Sequence, residues 1–310
     1  MQIRNKAIPI IGLLLCLFVI YIYNCTSPVL SYWGAGTNYK NVSVRTTVNV
    51  TQAYPEIINM TCNSGTAITL NAGTTKTASC LIQIRDYNGG NTISSVNGTF
   101  YYYLNASSDP NDNNEHYTNS SCIENTTNGY YTNWTCSWDL WYYANNGTWR
   151  ANATVMDNYN LSVFSYRNVT VSTLYALNVT PLIDFGNMAV GDTKDPSVQA
   201  NVTNFGNRNI SVSVYGFGGE DPVAYANMAM VCEVRNISIS NERYGLGLAT
   251  LYDSMTSVTS AAINITGLKV YQQIDDAQQV INSTYWRLHV NVTTNPFGQC
   301  NGTVVFSAEA

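Results

Sequence analysis

The sequence is poor in charge. Only 11% of its 310 residues are Asp, Glu, Lys or Arg, against roughly 25% in ordinary soluble proteins. Arg4 and Lys6 precede Asn24, and the remainder carries twelve basic against nineteen acidic side chains, a net of −7. An acidic chain without a Lys/Arg cluster is excluded as a nucleic-acid binder and as a ligand of anionic headgroups. Histidine is scarcer still, with His116 and His289 alone. Neither has a cysteine or acid at ligand spacing, so both read as core or surface histidines. Phosphate loops of the G-x-x-x-x-G-K type, G-x-S-x-G elbows, H-E-x-x-H and C-x-x-C are all missing, and with them the familiar routes to catalysis and zinc binding. No enzyme activity and no cofactor is expected.

What replaces charge is Asn, Thr, Ser and Tyr, at 39, 33, 25 and 23 residues. Thr and Tyr favour strands, and Asn and Ser favour turns. That balance describes β-strands joined by polar loops.

The one long apolar run is Ala7–Tyr23, behind Arg4 and Lys6. As a helix it spans about 25 Å, slightly short of a ~30 Å hydrocarbon core. Residues 1–26 therefore read as a signal peptide or an N-terminal membrane anchor, with 27–40 as a linker. In both cases the rest lies outside the cell, and the membrane is met only through that segment. The C-terminal Val304–Ala310 reads as a final strand.

N-x-S/T triplets support export. They occur at 21 asparagines, where composition alone predicts about 7. Asn24 stands too close to the apolar run to be modified. The glycosylation candidates are Asn41, Asn49, Asn59, Asn97, Asn105, Asn119, Asn125, Asn133, Asn146, Asn152, Asn160, Asn168, Asn178, Asn201, Asn209, Asn236, Asn264, Asn282, Asn291 and Asn301. Bulky hydrated glycans solubilise a surface without charge. Beyond Cys16 and Cys25, six cysteines remain, an even set for an oxidising compartment. Sequence alone allows fifteen connectivities; pairing neighbours within each domain gives Cys62–Cys80, Cys122–Cys136 and Cys232–Cys300.

Alternation organises the chain into two domains, 41–173 and 174–310. Asn41–Val50 alternates as a half-buried strand does. Ala78, Cys80, Ile82 and Ile84 share one face, as do Cys136, Trp138, Leu140 and Tyr142, and then Trp149, Ala151, Ala153 and Val155. Short strands with turn signals about every ten residues point to a sandwich. Gly147-Thr-Trp-Arg-Ala-Asn-Ala-Thr-Val-Met-Asp157 resembles the G-x-W/Y-x-V-x-V-x-V-x-D strand of immunoglobulin-like and PKD-like repeats. Together with Cys62, Ala78-Ser-Cys80, Asp86-Tyr-Asn-Gly89, Cys122 and Cys136, it resembles Ig-like modules of archaeal secreted surface proteins over roughly 110 residues. In the second domain Leu182-Ile-Asp-Phe-Gly186, Val190-Gly191 and Val198–Asn207 resemble the ASH-type Ig-like sandwich. There Val198, Ala200 and Val202 are expected to pair with Ile210, Val212 and Val214 across a turn at Asn204–Asn207. Tyr285–Val292 and Gly302–Ser307 are expected to close that sheet. The stretch 241–279 reads as an insertion with a short helix near Asp275–Val280. The fold expected is all-β: two immunoglobulin-like β-sandwiches after an apolar helix.

One loop has cation-site spacing. Asp109, Asn111, Asn113 and Glu115 alternate as calcium ligands do, but the sixth-position glycine is missing and Ser120 stands at the twelfth position. A solvated loop is the preferred reading. The Tyr runs with Trp138, Trp141 and Trp149 fit cross-strand packing better than a sugar-binding face. The functional expectation is a non-catalytic, N-glycosylated cell-surface structural or adhesive protein, whose partners are glycans, other surface proteins or copies of itself. The alternative is a secreted subunit of an extracellular filament or lattice, with Ser27–Val50 donated as a strand to the next copy. A third reading, an extracellular glycan-processing enzyme, requires a cleft lined by paired carboxylates.

Overall fold

A computed structural model describes residues 43–274 and 279–309. The expected leader 1–26, the linker 27–40, Asn41 and most of the helix expected near Asp275–Val280 lie outside those residues. Among the described residues no helix is long and apolar enough to cross a membrane. Among the described residues, those up to Val50 and those from Thr51 onward belong to separate units.

Residues 43–50 form no strand. Val44, Val48 and Val50 are 80%, 85% and 82% exposed, which corrects the strand expected at Asn41–Val50. Alternation makes a segment able to pair, but a strand exists only where a neighbouring edge offers backbone partners.

Thr51–Ala310 holds two β-sandwiches. The first comprises β1 (Glu56–Cys62), β2 (Thr75–Arg85), β3 (Ile93–Tyr102), β4 (His116–Asn119), β5 (Ile123–Asn128), β6 (Tyr131–Trp141), β7 (Gly147–Asp157) and β8 (Ser162–Val171). One sheet runs β1-β2-β6-β5 and the other β4-β3-β7-β8, all antiparallel. That is the strand order of an immunoglobulin-like sandwich. The alternation in β2, β6 and β7 places Ala78, Cys80, Ile82, Ile84, Cys136, Trp138, Leu140, Trp149, Ala151, Ala153 and Val155 in one core. At its centre Phe100 stacks between Trp138 and Trp149, with ring centroids 5.4 and 5.0 Å away. Offset aromatic stacks of this kind contribute about 1 kcal/mol beyond their buried area. Gly98 is required here, because a Cβ would lie 2.6 Å from the Trp138 ring and 3.0 Å from Cys136 Sγ. β3 ends at Tyr102, and Tyr103 and Leu104 stand exposed in the turn after it.

The second sandwich comprises β9 (Leu177–Val179), β10 (Val198–Asn204), β11 (Ile210–Gly218), β12 (Met228–Val234), β13 (Asn236–Ser238), β14 (Glu242–Gly245), β15 (Thr256–Ser257), β16 (Ile263–Val270), β17 (Ile281–Leu288) and β18 (Phe297–Glu309). Its sheets run β15-β14-β17-β10-β9 and β13-β12-β18-β11-β16. The hairpin expected between β10 and β11 does not form. β10 pairs with β17 and β9, and β11 with β18 and β16, so the two strands lie in opposite sheets. Ala200 and Val202 then meet Val212 and Val214 across the core. The reason is in the loop: Asn204 Nδ2 donates to Arg208 O at 2.7 Å and its Oδ1 accepts from Gly206 N at 2.8 Å, which shapes an arch between sheets. β17 and β18 likewise fall in different sheets rather than closing one. The stretch read as an insertion supplies β14, β15 and β16.

The two sandwiches are stitched together at the arch. Asn207 is wholly buried. Its Nδ2 donates to Ala144 O (3.1 Å) and Ser172 O (3.0 Å), and its Oδ1 accepts from Leu174 N (2.7 Å). Gln272 Nε2 donates to Tyr143 O at 2.8 Å and to Asn145 Oδ1 at 3.0 Å, and the Tyr142 hydroxyl donates to Gln273. Phe205 packs on Tyr142 and against Gly73.

Candidate functional site

The sequon asparagines dominate the surface. Nineteen of the 21 fall among the described residues and none is buried. The buried asparagines are Asn114, Asn204 and Asn207, and none of those three begins an N-x-S/T triplet. Asn residues that hold the fold together are thus distinct from those that can carry a glycan. On β7, Asn152 faces outward between Thr99 of β3 and Tyr166 of β8. Asn97 and Asn168 belong to the same sheet.

Not all the amides are equally free. Asn105 Nδ2 donates to Glu115 Oε2 (2.9 Å), Asn119 Nδ2 to Ser137 O (2.9 Å) and Asn282 Nδ2 to Lys269 O (2.8 Å). In each, one of the two amide hydrogens is engaged, which restrains the side chain's approach to a glycosylating enzyme. Asn97, Asn168, Asn264 and Asn301 are exposed and carry no such restraint from the described residues.

The cysteines pair as Cys62–Cys80, Cys122–Cys136 and Cys232–Cys300. Cys62 stands opposite Cys80, and Cys80 opposite Cys136, in one row across β1, β2 and β6. The third bridge joins β12 to β18.

The Asp109–Glu115 loop is occupied by its own hydrogen bonds. Asp109 Oδ2 accepts from Ala106 N at 2.8 Å, and Glu115 accepts from Asn105 and from Asn145 Nδ2 at 2.9 Å. Asn111 is exposed, and the Asn113 carbonyl accepts from the Tyr117 hydroxyl. Burial pushes that hydroxyl above its ordinary range. Among the described residues no group of three or more His, Cys, Asp or Glu is placed to hold a metal ion.

His116 is buried, with Nε2 3.4 Å from Ser107 O and its ring stacked on Tyr101. His289 Nδ1 lies 2.9 Å from Thr193 Oγ1. The Trp and Tyr of the sequence runs divide: Trp138, Tyr142, Tyr143 and Trp149 are core, while Tyr103, Tyr130 and Tyr131 are exposed.

The surface of the described residues includes three grooves. One lies between β1 and β8 and holds no carboxylate, and a second, beside β4, holds Asp139. The third, 490 Å³, opens on the flank of the second sandwich between β18 and the segment after β9. Its one carboxylate is Glu242, 4% exposed. That side chain has no hydrogen-bond partner among the described residues, and desolvation pushes its carboxyl up to about 8. Sequence reasoning missed Glu242, because a lone Glu in weakly periodic sequence carries no burial signal. It missed the burial of Asn207 because the turn at Asn204–Asn207 was expected to join neighbouring strands at the surface.

No protein-family model and no curated protein matches the chain. Among solved structures, dimeric latent PorU from Porphyromonas gingivalis is 12% identical at a TM-score of 0.28, covering 87% of this chain and 21% of that one. The chain thus spans about a fifth of the length of that protein. A carbohydrate-binding module of the β-sandwich superfamily is 9% identical at a TM-score of 0.26, over 84% of this chain and 99% of its own. The C-terminal domain of the Streptococcus agalactiae AgI/II polypeptide BspA is 8% identical at 0.21, over 79% and 91%.

Proposed function

We propose that this chain is a non-catalytic, N-glycosylated structural protein of the cell exterior. It holds two joined sandwiches outside the membrane and works through contacts. The observation that carries the reading is the partition of the described asparagines: those in sequons lie at the surface, and the buried ones lie outside sequons. Three disulfides fit an oxidising compartment. Residues 1–26 direct export or anchor the chain. Peptide mass mapping of protein from a glycosylating host, before and after glycan removal, tests it. Glycan masses are expected at Asn97, Asn168, Asn264 and Asn301, with lower occupancy at Asn105, Asn119 and Asn282. Unmodified asparagines and free thiols throughout would sink the proposal.

A second reading, a subunit of a filament or lattice, is favoured by one observation. Residues 43–50 alternate like a strand yet lie exposed and unpaired.

A further inference from the structure

The second sandwich is unfinished along one flank. In β11 the inward row Ile210, Val212 and Val214 is buried. In its neighbour β18 the inward row Val304, Phe306 and Ala308 packs on the same core but stays half-exposed. The cause is pairing. β11 has β18 on one side and β16 on the other. β18 has β12 only between Phe297 and Asn301. At Gly302 the Ala229 carbonyl fills the space a Cβ would need, and the ladder between β12 and β18 ends one residue before, at Val231–Asn301. Among the described residues, Thr303–Glu309 therefore pairs with β11 alone and presents a free edge of seven residues, about 23 Å at strand rise.

An open edge with a half-covered apolar row is a template for another strand. The groove beside it is lined by Leu182, Phe185, Met230, Val304 and Phe306, and by the buried, unpartnered Glu242. A buried polar group without a partner is costly unless something completes it.

The chain contains a segment of matching form. Ser43–Val50 is eight residues, about 26 Å when extended. Its even row is Val44, Thr46, Val48 and Val50, and its odd row is Ser43, Arg45, Thr47 and Asn49. The even row is apolar except for one hydroxyl, at Thr46, and the groove sets Thr180, Thr303 and one carboxyl, at Glu242, among its apolar side chains. With the even row inward, the odd row faces water and leaves the Asn49 sequon free for its glycan.

We propose that the free edge of β18 accepts residues 43–50 of a second copy, which pairs with Thr303–Glu309 and fills the groove with its valines. The proposal rests on the surface-assembly reading above and names its joint. Each copy then both donates and accepts, a head-to-tail contact that propagates unless it closes on itself.

The test uses the full chain as secreted by a glycosylating host, prepared in light and 15N-labelled forms and mixed. A photo-reactive benzoylphenylalanine replaces Val48, and the cross-linked peptides are mapped by mass spectrometry. Light-to-heavy cross-links onto Leu182–Phe185 or Thr303–Phe306 are expected. Val44→Asp, in a position already exposed to water, is expected to lower their yield at least tenfold. Thr47→Asp, in the outward row, should leave it within twofold. Cross-links confined to one copy, cross-links onto other strands, or none between copies overturn the proposal. Glycan occupancy and disulfide state come from the same spectra. If those hold while the cross-links fail, only the acceptor is wrong; if those fail, the surface reading falls with it.

Discussion

The two sandwiches solve the same packing problem differently. The first closes on itself: an aromatic column of Trp138, Phe100 and Trp149 spans its core, and two disulfides lie within one of its sheets. The second has a largely aliphatic core, one bridge across 68 residues, and a flank where β18 lacks a neighbour. One is a finished scaffold, whereas the other keeps an edge and a buried acid in reserve. In the assembly proposed above, the first sandwich would support and the second would bind.

Three substitutions press on that contrast. The largest effect is expected from Trp149→Ala, which removes the middle of the stack and the bond from Nε1 to Asn145 O at 2.7 Å. A loss of about 5 kcal/mol is expected, read by denaturant unfolding. If the second sandwich melts with the first at that cost, the contrast between them is weaker than drawn.

Glu242→Gln should do the opposite, and only at the higher pH. The folded carboxyl titrates near 8 and the unfolded one near 4.5. Below pH 4.5 both are protonated and the acid costs nothing. As pH rises to 8 the unfolded state ionises while the folded state does not, so stability drains away through that window and then levels off. The glutamine variant of the unassembled chain should therefore match the parent at pH 4 and exceed it by up to about 4 kcal/mol at pH 8. An equal gain at both pH values means Glu242 is not protonated in the fold.

Asn207→Ala is the gentlest of the three. It strips the partners from Leu174 N, Ala144 O and Ser172 O at the junction, an expected loss of about 2 kcal/mol. Its signature is in shape more than size: one unfolding transition should separate into two, seen by calorimetry. A single transition retained would mean that Gln272 and Phe205 suffice to couple the halves.

Much of the first sandwich was legible because its central strands alternate cleanly. Ala78-Ser-Cys80-Leu-Ile82 and Trp149–Val155 bury one row and expose the other, so face assignment follows from period alone. The second was harder. Alternating valines at 198–202 and 210–214 look the same whether the strands sit side by side or face each other across a core. Only the Asn204 arch decides it. Met228–Val234 shows no period because its pairing is broken by register shifts at Met228/Met230 and at Cys232/Val234. Residues 43–50 had the pattern of a strand and no partner, since pairing belongs to the neighbour as much as to the segment. In the loop at Asp109–Glu115 the spacing was visible but the bonds to Ala106, Asn105 and Asn145 were not.

The cysteine row has a mechanical meaning. In the sheet β1-β2-β6-β5 both outer strands are riveted to their inner neighbours, β1 by Cys62–Cys80 and the start of β5 by Cys122–Cys136. Tension arriving along the polypeptide from the N-terminal side enters through β1, where peeling one strand from another is the easiest way to fail. Sulfur turns that zipper into a shear joint at its far end. Pulled from Glu56, β1 could unzip from β2 only as far as Cys62, where the bridge to Cys80 stops the separation.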